Sequence, residues 1–171
     1  LHYGAENMSF DPIVVSGANS SKPHGVPGEK TIQAGDFVTM DFGCIYDGYC
    51  SDMTRTVFFK SCTDEQRNVY DIVNKANRAG ESIARPGIAL RDVDAAARNL
   101  IIAAGYGEFF THRTGHGIGI DVHEPPDVAA TNSQLAEVGM VFSVEPGIYL
   151  PGKFGVRIED LVAMTEDGCE V

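Results

Sequence analysis

Residues 139–147 read GMVFSVEPG, and 104 positions earlier residues 35–43 read GDFVTMDFG. The two stretches share one frame, aligning Gly35, Asp41 and Gly43 with Gly139, Glu145 and Gly147. Each copy is followed by a turn and a second acid, Asp52 in CSDMTRTV and Glu159 in GVRIEDLV. The same local arrangement thus delivers two carboxylates twice, from strands that are otherwise apolar. Carboxylates carried inward are costly to bury unless something positive lies among them, and metal ions are the partner this pattern favours.

Turn chemistry fixes which way the acids face. Asp47 and Gly48 suit a two-residue turn, whose central positions both need positive φ. Tyr46 is then expected opposite Tyr49, Asp41 opposite Thr54, and Asp52 opposite Gly43. In that register Asp41 and Asp52 share a face as diagonal neighbours, roughly 7–8 Å apart at the backbone. Cys44 and Cys50 fall on opposite faces, so no disulfide is expected between them. In the second copy the acids are 14 positions apart rather than 11. A two-residue turn would split Glu145 from Glu159, whereas an odd loop centred on Gly152 sets them directly opposite each other. The odd loop is the expectation. The competing reading, edge-strand acids facing water, is weakened by the repetition of the frame.

Outward from the hairpins, a strand is expected over 10–15, then a long Gly- and Pro-rich loop, then strands over 37–42 and 49–59. Thr63 and Gln66 form a capping box opening a helix to about residue 84, with Val69, Val73, Ala76 and Ile83 on one face. A second helix is expected over 90–104, with Val93, Ala97, Leu100, Ile101 and Ala104 inward and Gly105 as its stop. Strands over 118–123, 140–148 and 155–164 complete an α+β pattern with an antiparallel or mixed sheet.

A length of 171 residues with 43% hydrophobic content suits one domain, 1–171. The net charge of −11 and the lack of any Lys/Arg cluster argue against nucleic acid as a partner. Two bound divalent ions would bring the charge to about −7, the remainder serving solubility. Four cysteines without a CxxC pair read as reduced thiols in a cytoplasmic protein. No apolar run reaches the roughly 18 residues that span a bilayer, so no membrane partner is expected, and no signal peptide is visible. The chain opens on Leu1 rather than Met and stops just after a strand-like run, so both ends are expected to be cut from something longer.

The stretch THRTGHGIGIDVHEPP at 111–126 holds three of the five histidines. His116 sits between Gly115 and Gly117, where backbone can approach closely and the imidazole is uncrowded; it is the expected direct metal ligand. His24, His112 and His123 suit roles in orienting water or substrate and in stabilising an oxyanion, and His2 is given none. Asp41, Asp52, Glu145, Glu159 and His116 form a ligand set for Mn²⁺, Co²⁺, Fe²⁺ or Zn²⁺ rather than a thiolate zinc site. Two ions sharing acids would activate a water and grip a developing tetrahedral centre, which is hydrolase chemistry. A purely structural metal site fits less well, since such sites are closed and hold one ion.

The order Asp41, Asp52, His116 in HRTGHGIGIDVHE, Glu145 in VEPGIY and Glu159 in RIED resembles the pita-bread-fold metallopeptidases, the methionine aminopeptidase and prolidase superfamily. PHG at His24, HRTGHGIG, DVHEPP at His123 and the VEPGIY…GVRIED block are most similar to its Xaa-Pro peptidase branch, aminopeptidase P and prolidase. The resemblance covers essentially the whole chain. It implies a pseudo-twofold antiparallel sheet and a dinuclear site, commonly manganese, with Asp41 and Asp52 chelating one ion, His116 on the other, and Asp52 and Glu159 bridging. It also implies that Glu145 is both ligand and proton acceptor for a water held between the metals. By the same resemblance His24 and His123 lie around the scissile bond, His112 lies near the substrate, and Tyr149 and Arg157 support the site. The substrate would be a peptide or dipeptide with proline second. Members of the branch carry an N-terminal domain and first helices before the position of Leu1; without them an apolar sheet face would be left bare, and a homo-oligomer is expected. Non-catalytic peptide binders of the same fold, hydrolases of the creatinase kind and methionine aminopeptidases are the alternatives. The first two are disfavoured by the complete ligand set, the last by the HRTGHG and DVHE context.

Overall fold

The computed structural model describes residues 2–171; Leu1, on which the expected N-terminal cut falls, lies outside the described residues. In chain order the strands are β1 (Asn7–Met8), β2 (Ile13–Ser16), β3 (Phe37–Phe42), β4 (Cys44–Tyr46), β5 (Tyr49–Cys50) and β6 (Met53–Phe58). Helices α1 (Asp64–Ile83) and α2 (Leu90–Ala103) follow. The chain then returns to strands: β7 (Gly115–Gly117), β8 (Glu124–Val128), β9 (Val141–Val144), β10 (Gly147–Leu150), β11 (Phe154–Arg157), β12 (Asp160–Thr165) and β13 (Gly168–Glu170). Five strands form one sheet in the order β13-β12-β9-β7-β8, and β2-β3-β6 form another. All described pairings between named strands are antiparallel.

Both hairpins take the register that turn chemistry dictates. Asp41 pairs with Thr54, and the same register runs on to Tyr46 opposite Tyr49. The turn between them places Asp47 at φ 51° and Gly48 at φ 77°. In the second hairpin Gly147 pairs with Arg157 and Leu150 with Phe154 around residues 151–153, an odd loop with Gly152 at φ 72°. The register resumes farther out, with Val144 opposite Asp160, so Glu145 and Glu159 face each other in the gap between the two ladders.

Those gaps correct the expected strands. The runs over 49–59, 140–148 and 155–164 are each two strands, interrupted at 51–52, 145–146 and 158–159. Pro146 has no N–H to donate. The Glu145 N–H donates to the Thr114 carbonyl at 2.7 Å and the Glu159 N–H to the Thr54 carbonyl at 3.1 Å. Backbone at these two gaps is thus committed to a neighbouring segment, which releases Glu145 and Glu159 from the pleat. At the first gap a Cβ on Gly43 would lie 1.9 Å from the Ser51 carbonyl oxygen, so any side chain there would push the strands apart.

Strand parity sorts the second hairpin into two faces. Phe142, Val144, Ile148, Leu150, Phe154, Val156 and Val162 turn outward and are buried under α1 and α2, against Val69, Val73 and Ala76 of the first helix and Leu90, Val93, Ala97 and Ile101 of the second. Ser143, Glu145, Tyr149, Arg157 and Glu159 turn inward. The capping box of α1 is present, with Thr63 and Gln66 each bonding the other's backbone N–H. In the β2-β3-β6 sheet the outward face keeps Val14, Phe42 and Val57 at 45%, 40% and 46% exposure.

Three further expectations are corrected. The strand expected over 10–15 lies at Ile13–Ser16, preceded by the short β1. No strand forms over 118–123: the Gly119 carbonyl accepts from the Cys50 N–H and the Ile120 carbonyl from Cys50 Sγ, so this segment is spent on the first hairpin. The strand lies instead at Glu124–Val128, at the sheet edge, where Pro125 and Pro126 are tolerated because no neighbour needs their missing donors. Leu100 and Ala104 turn out to solvent; the buried stripe of α2 is Leu90, Val93, Asp94, Ala97 and Ile101.

Candidate metal centre

His24, Asp41, Asp52, His112, His116, His123, Glu145, Arg157 and Glu159 all line one cavity of about 520 Å³ between the two hairpins. Nε2 of His116 lies 3.4 Å from Glu145 Oε1 and 3.8 Å from Asp52 Oδ2. One donor atom each from Asp52, His116 and Glu159 fall within 4.8 Å of one another. Tyr149 does not line the cavity; it is buried behind it and holds two residues that do.

Each side chain is fixed by a specific partner. His116 presents Nδ1 to the Gly117 carbonyl at 3.0 Å. A carbonyl only accepts, so Nδ1 carries the proton and Nε2 keeps its lone pair toward the acids. Burial pushes the His116 pKa down to about 4, leaving the ring neutral and ligand-ready at neutral pH. His112 is held the same way: Nδ1 donates to the Arg113 carbonyl at 2.7 Å, so Nε2 accepts from the Tyr149 hydroxyl at 2.8 Å. Its pKa is likewise pushed down to about 4 by burial. Tyr149 in turn accepts from Arg157 Nη1 at 3.0 Å. Burial moves the Tyr149 phenol up to about 12, so it stays a donor.

Arg157 spans the site. It donates to Asp41 Oδ2 at 2.6 Å, to the Thr54 hydroxyl at 3.0 Å and to the Pro23 carbonyl at 2.9 Å, next to His24. Thr54 passes its own proton to Glu159 Oε2 at 2.7 Å. Ser143 accepts from the His116 N–H at 3.0 Å and donates to Glu145 Oε1 at 3.2 Å. His123 is more exposed, its ring centroid 4.2 Å from that of His116, and burial among its neighbours lowers its pKa.

The electrostatics leave a deficit of positive charge. Burial, with Glu159 and Asp41 adjoining, pushes Asp52 up to about 8. Burial pushes Glu159 up to about 7 against the opposing Thr54 hydrogen bond. Glu145 is raised well above the usual carboxylate range by burial and by Glu159. One guanidinium serves four carboxylates. Asp41 Oδ1, Asp52 Oδ1 and Glu159 Oε1 are buried without a hydrogen-bond partner; leaving such acceptors unpaired is expensive. Acids that resist ionisation together, orphaned oxygens and an imidazole lone pair are what bound divalent metal would satisfy, so the residues present fit the group.

Several supports went unread in the sequence. Asp94 is fully buried on α2 and accepts from the Thr114 N–H and hydroxyl at 3.2 and 2.7 Å. It also takes a two-pronged bond from Arg98. Arg98 continues to the carbonyls of Phe110 and His112. The helix thereby anchors the loop carrying His112 to His116, and through the Thr114 carbonyl the Glu145 backbone. The signal was there: an acid on an apolar stripe, four residues before an arginine. Gly115 completes the fit, since a Cβ there would lie 1.8 Å from the Ser143 carbonyl oxygen.

The model of metallopeptidase family M24 matches residues 1–166. An uncharacterised peptidase of Staphylococcus aureus is 48% identical over 169 residues, covering 99% of this chain and 48% of that protein. The prolidase from Pyrococcus furiosus is 43% identical with a TM-score of 0.96, over 99% of this chain and 50% of that one. The X-Pro aminopeptidase from Thermotoga maritima is 46% identical with a TM-score of 0.95, over 99% and 48%. The chain spans about half the length of the curated relatives it matches. Its hairpin architecture is that of the pita-bread neighbours. No helix among the described residues is long and apolar enough to cross a membrane. The chain belongs to metallopeptidase family M24.

Proposed function

We propose that the protein is a two-metal exopeptidase that hydrolyses the bond between an N-terminal residue and a following proline. The observation that carries this reading is the set of three buried carboxylate oxygens without partners around a neutral, lone-pair-bearing His116. Asp41, Asp52, His116, Glu145 and Glu159 would hold the ions, with manganese the first candidate on hard-ligand grounds. Bound there, two divalent ions supply electrostatic stabilisation of the developing oxyanion and lower the pKa of the attacking water. Glu145 accepts that water's proton and returns it to the proline nitrogen as the C–N bond breaks. Positive charge beside it offsets the burial that otherwise keeps it protonated.

In this reading the remaining residues position the substrate. His24 and His123 flank the scissile bond. His112, held by Tyr149, reaches the substrate from the cavity wall, and Arg157 keeps Asp41 oriented. The relatives' printed activities, prolidase and X-Pro aminopeptidase, support the choice of proline in the second position.

The test is hydrolysis of Ala-Pro and Ala-Pro-Ala by the Mn²⁺-loaded chain. Cleavage before proline is expected, abolished by EDTA, restored by Mn²⁺, and at least about 100-fold slower when alanine replaces proline. Absence of cleavage, or cleavage indifferent to EDTA, would overturn the proposal.

A further inference from the structure

The candidate ligands come from the hairpins and the histidine loop, yet a buried ion pair on α2, outside all of these, is bonded toward them. Asp94 is fully buried on the inward stripe of that helix, with Leu90, Val93, Ala97 and Ile101. Arg98, one turn on, donates from Nε to Oδ2 at 2.8 Å and from Nη2 to Oδ1 at 2.9 Å. A pair buried in this way adds little net stability, because desolvating the charges offsets most of their attraction. An apolar residue at position 94 would continue the stripe without that cost. What the two-pronged pair adds is direction, since its bonds have fixed geometry.

Followed outward, those bonds end on the centre. Oδ1 of Asp94 also accepts from the Thr114 hydroxyl at 2.7 Å and from the Thr114 N–H at 3.2 Å. The N–H is shared with the Val128 carbonyl at 3.0 Å, so the hydroxyl is the bond that belongs to Asp94 alone. The Thr114 carbonyl receives the Glu145 N–H at 2.7 Å, and His116 follows two residues later. Arg98 reaches the carbonyls of Phe110 and His112 at 3.2 and 2.8 Å. Its guanidinium lies 4.1 Å from the centre of the Phe110 ring, which meets the His112 ring edge-on at 5.2 Å. One carboxylate thus fixes the segment carrying His116 and the backbone of Glu145 and, through Arg98, that of His112. The other acids are held differently, Asp41 by Arg157 and Glu159 by Thr54.

We infer that Asp94 is a positioning residue for the metal centre: with Arg98 and Thr114 it keeps His116 and Glu145 in register, and so sets the metal affinity of that side of the centre independently of the first hairpin. The consequence for metal binding rests on the two-metal reading above. The positioning itself belongs to the metal-free chain.

Three variants test it. Asp94→Asn puts an amide nitrogen against a donor of Arg98 or of Thr114, whichever way it turns. Thr114→Val removes the hydroxyl, and Thr114→Ser keeps it. Amide hydrogen exchange of the metal-free chains, followed by NMR, is expected to quicken at least about tenfold at Glu145 and His116 in the first two variants. In β3 and β6 the change is expected to stay within threefold, and Thr114→Ser to match the parent throughout. In calorimetry with Mn²⁺, one of two binding events is expected to weaken at least about tenfold in the same two variants, the scale on which the partners of metal ligands act. The other event is expected to stay within threefold. Should Asp94→Asn fail to fold, the two Thr114 variants decide.

Exchange that quickens evenly over the whole chain would overturn the inference, since that marks a general loss of stability. So would two Mn²⁺ affinities left unchanged, or a Thr114→Ser chain that behaves like Thr114→Val. If exchange follows the expected pattern while the parent chain binds fewer than two ions, the two-metal reading fails and the positioning role stands.

Discussion

Glu145→Gln, loaded with Mn²⁺, is expected to hydrolyse Ala-Pro-Ala at least about 10³-fold more slowly than the parent chain, within the range that general-base groups contribute. The substitution preserves shape. An amide oxygen can still accept from Ser143, which stands 3.2 Å from Glu145 Oε1, and the backbone bond to Thr114 is untouched. What it removes is the ability to take a proton, together with one negative charge from a cluster whose bonded guanidinium is that of Arg157. Because the same oxygen faces His116 Nε2 at 3.4 Å, metal content has to be measured on the same sample. A variant that keeps its ions and its melting temperature but loses turnover identifies Glu145 as the base. Turnover within threefold of the parent would exclude it from that role.

The second large effect is on stability. In the metal-free chain Asp52 moves from an ordinary 3.8 up to about 8 and Glu159 from 4.5 up to about 7. Between about pH 4 and pH 8 the folded chain therefore holds protons that the unfolded chain has released, and stability falls as pH rises through that window. His112 and His116, pushed down to about 4, act the opposite way below about pH 6.5, where the unfolded chain holds their protons, so the net fall is shallower there and steepest above it; Asp36 is also lowered but is a surface group whose contribution is small. Divalent ions reverse the trend, because their ligands must be deprotonated and only the folded chain assembles them. Each ion at about 1,000 times its Kd adds about 4 kcal/mol, and a kcal/mol moves a chain of this size by roughly 2–4 °C. The metal-free melting temperature is thus expected to fall from pH 5 to pH 8, and Mn²⁺ to raise it by about 10 °C or more at pH 8 and by far less at pH 5. Scanning calorimetry at both pH values reads this. A metal-free curve that climbs from pH 5 to pH 8, or a Mn²⁺ shift of equal size at both, would contradict the burial of these acids as unpaired groups.

The hairpins were legible because turn chemistry is local. Asp47 with Gly48, and Gly152 at the centre of an odd loop, fix the register, and side-chain parity then fixes the face of all four acids. His116 was legible from its flanking glycines, one of which is required by the approach of the Ser143 carbonyl. What stayed hidden depends on partners distant in sequence. No periodicity shows that the Glu145 and Glu159 N–H groups are claimed by Thr114 and Thr54, so continuous strands were expected where the ladders break. The alternation of Ile118, Ile120 and Val122 mimics a strand, yet its backbone is tied to Cys50. Pro125 and Pro126 argue against an interior strand, and sequence does not say which strand lies at an edge. Leu100 was placed inward on apolar character alone, while the buried position went to Asp94, an acid whose partners Arg98 and Thr114 only the fold brings together.

The central claim, two divalent ions held among Asp41, Asp52, His116, Glu145 and Glu159, is tested most directly by counting Mn²⁺ per chain in native mass spectrometry near pH 8, for the parent and for Glu159→Ala. Two ions in the parent, and one or none after loss of the Glu159 carboxylate, is the expected result. A parent that binds fewer than two, or a Glu159→Ala chain that keeps both, would contradict it.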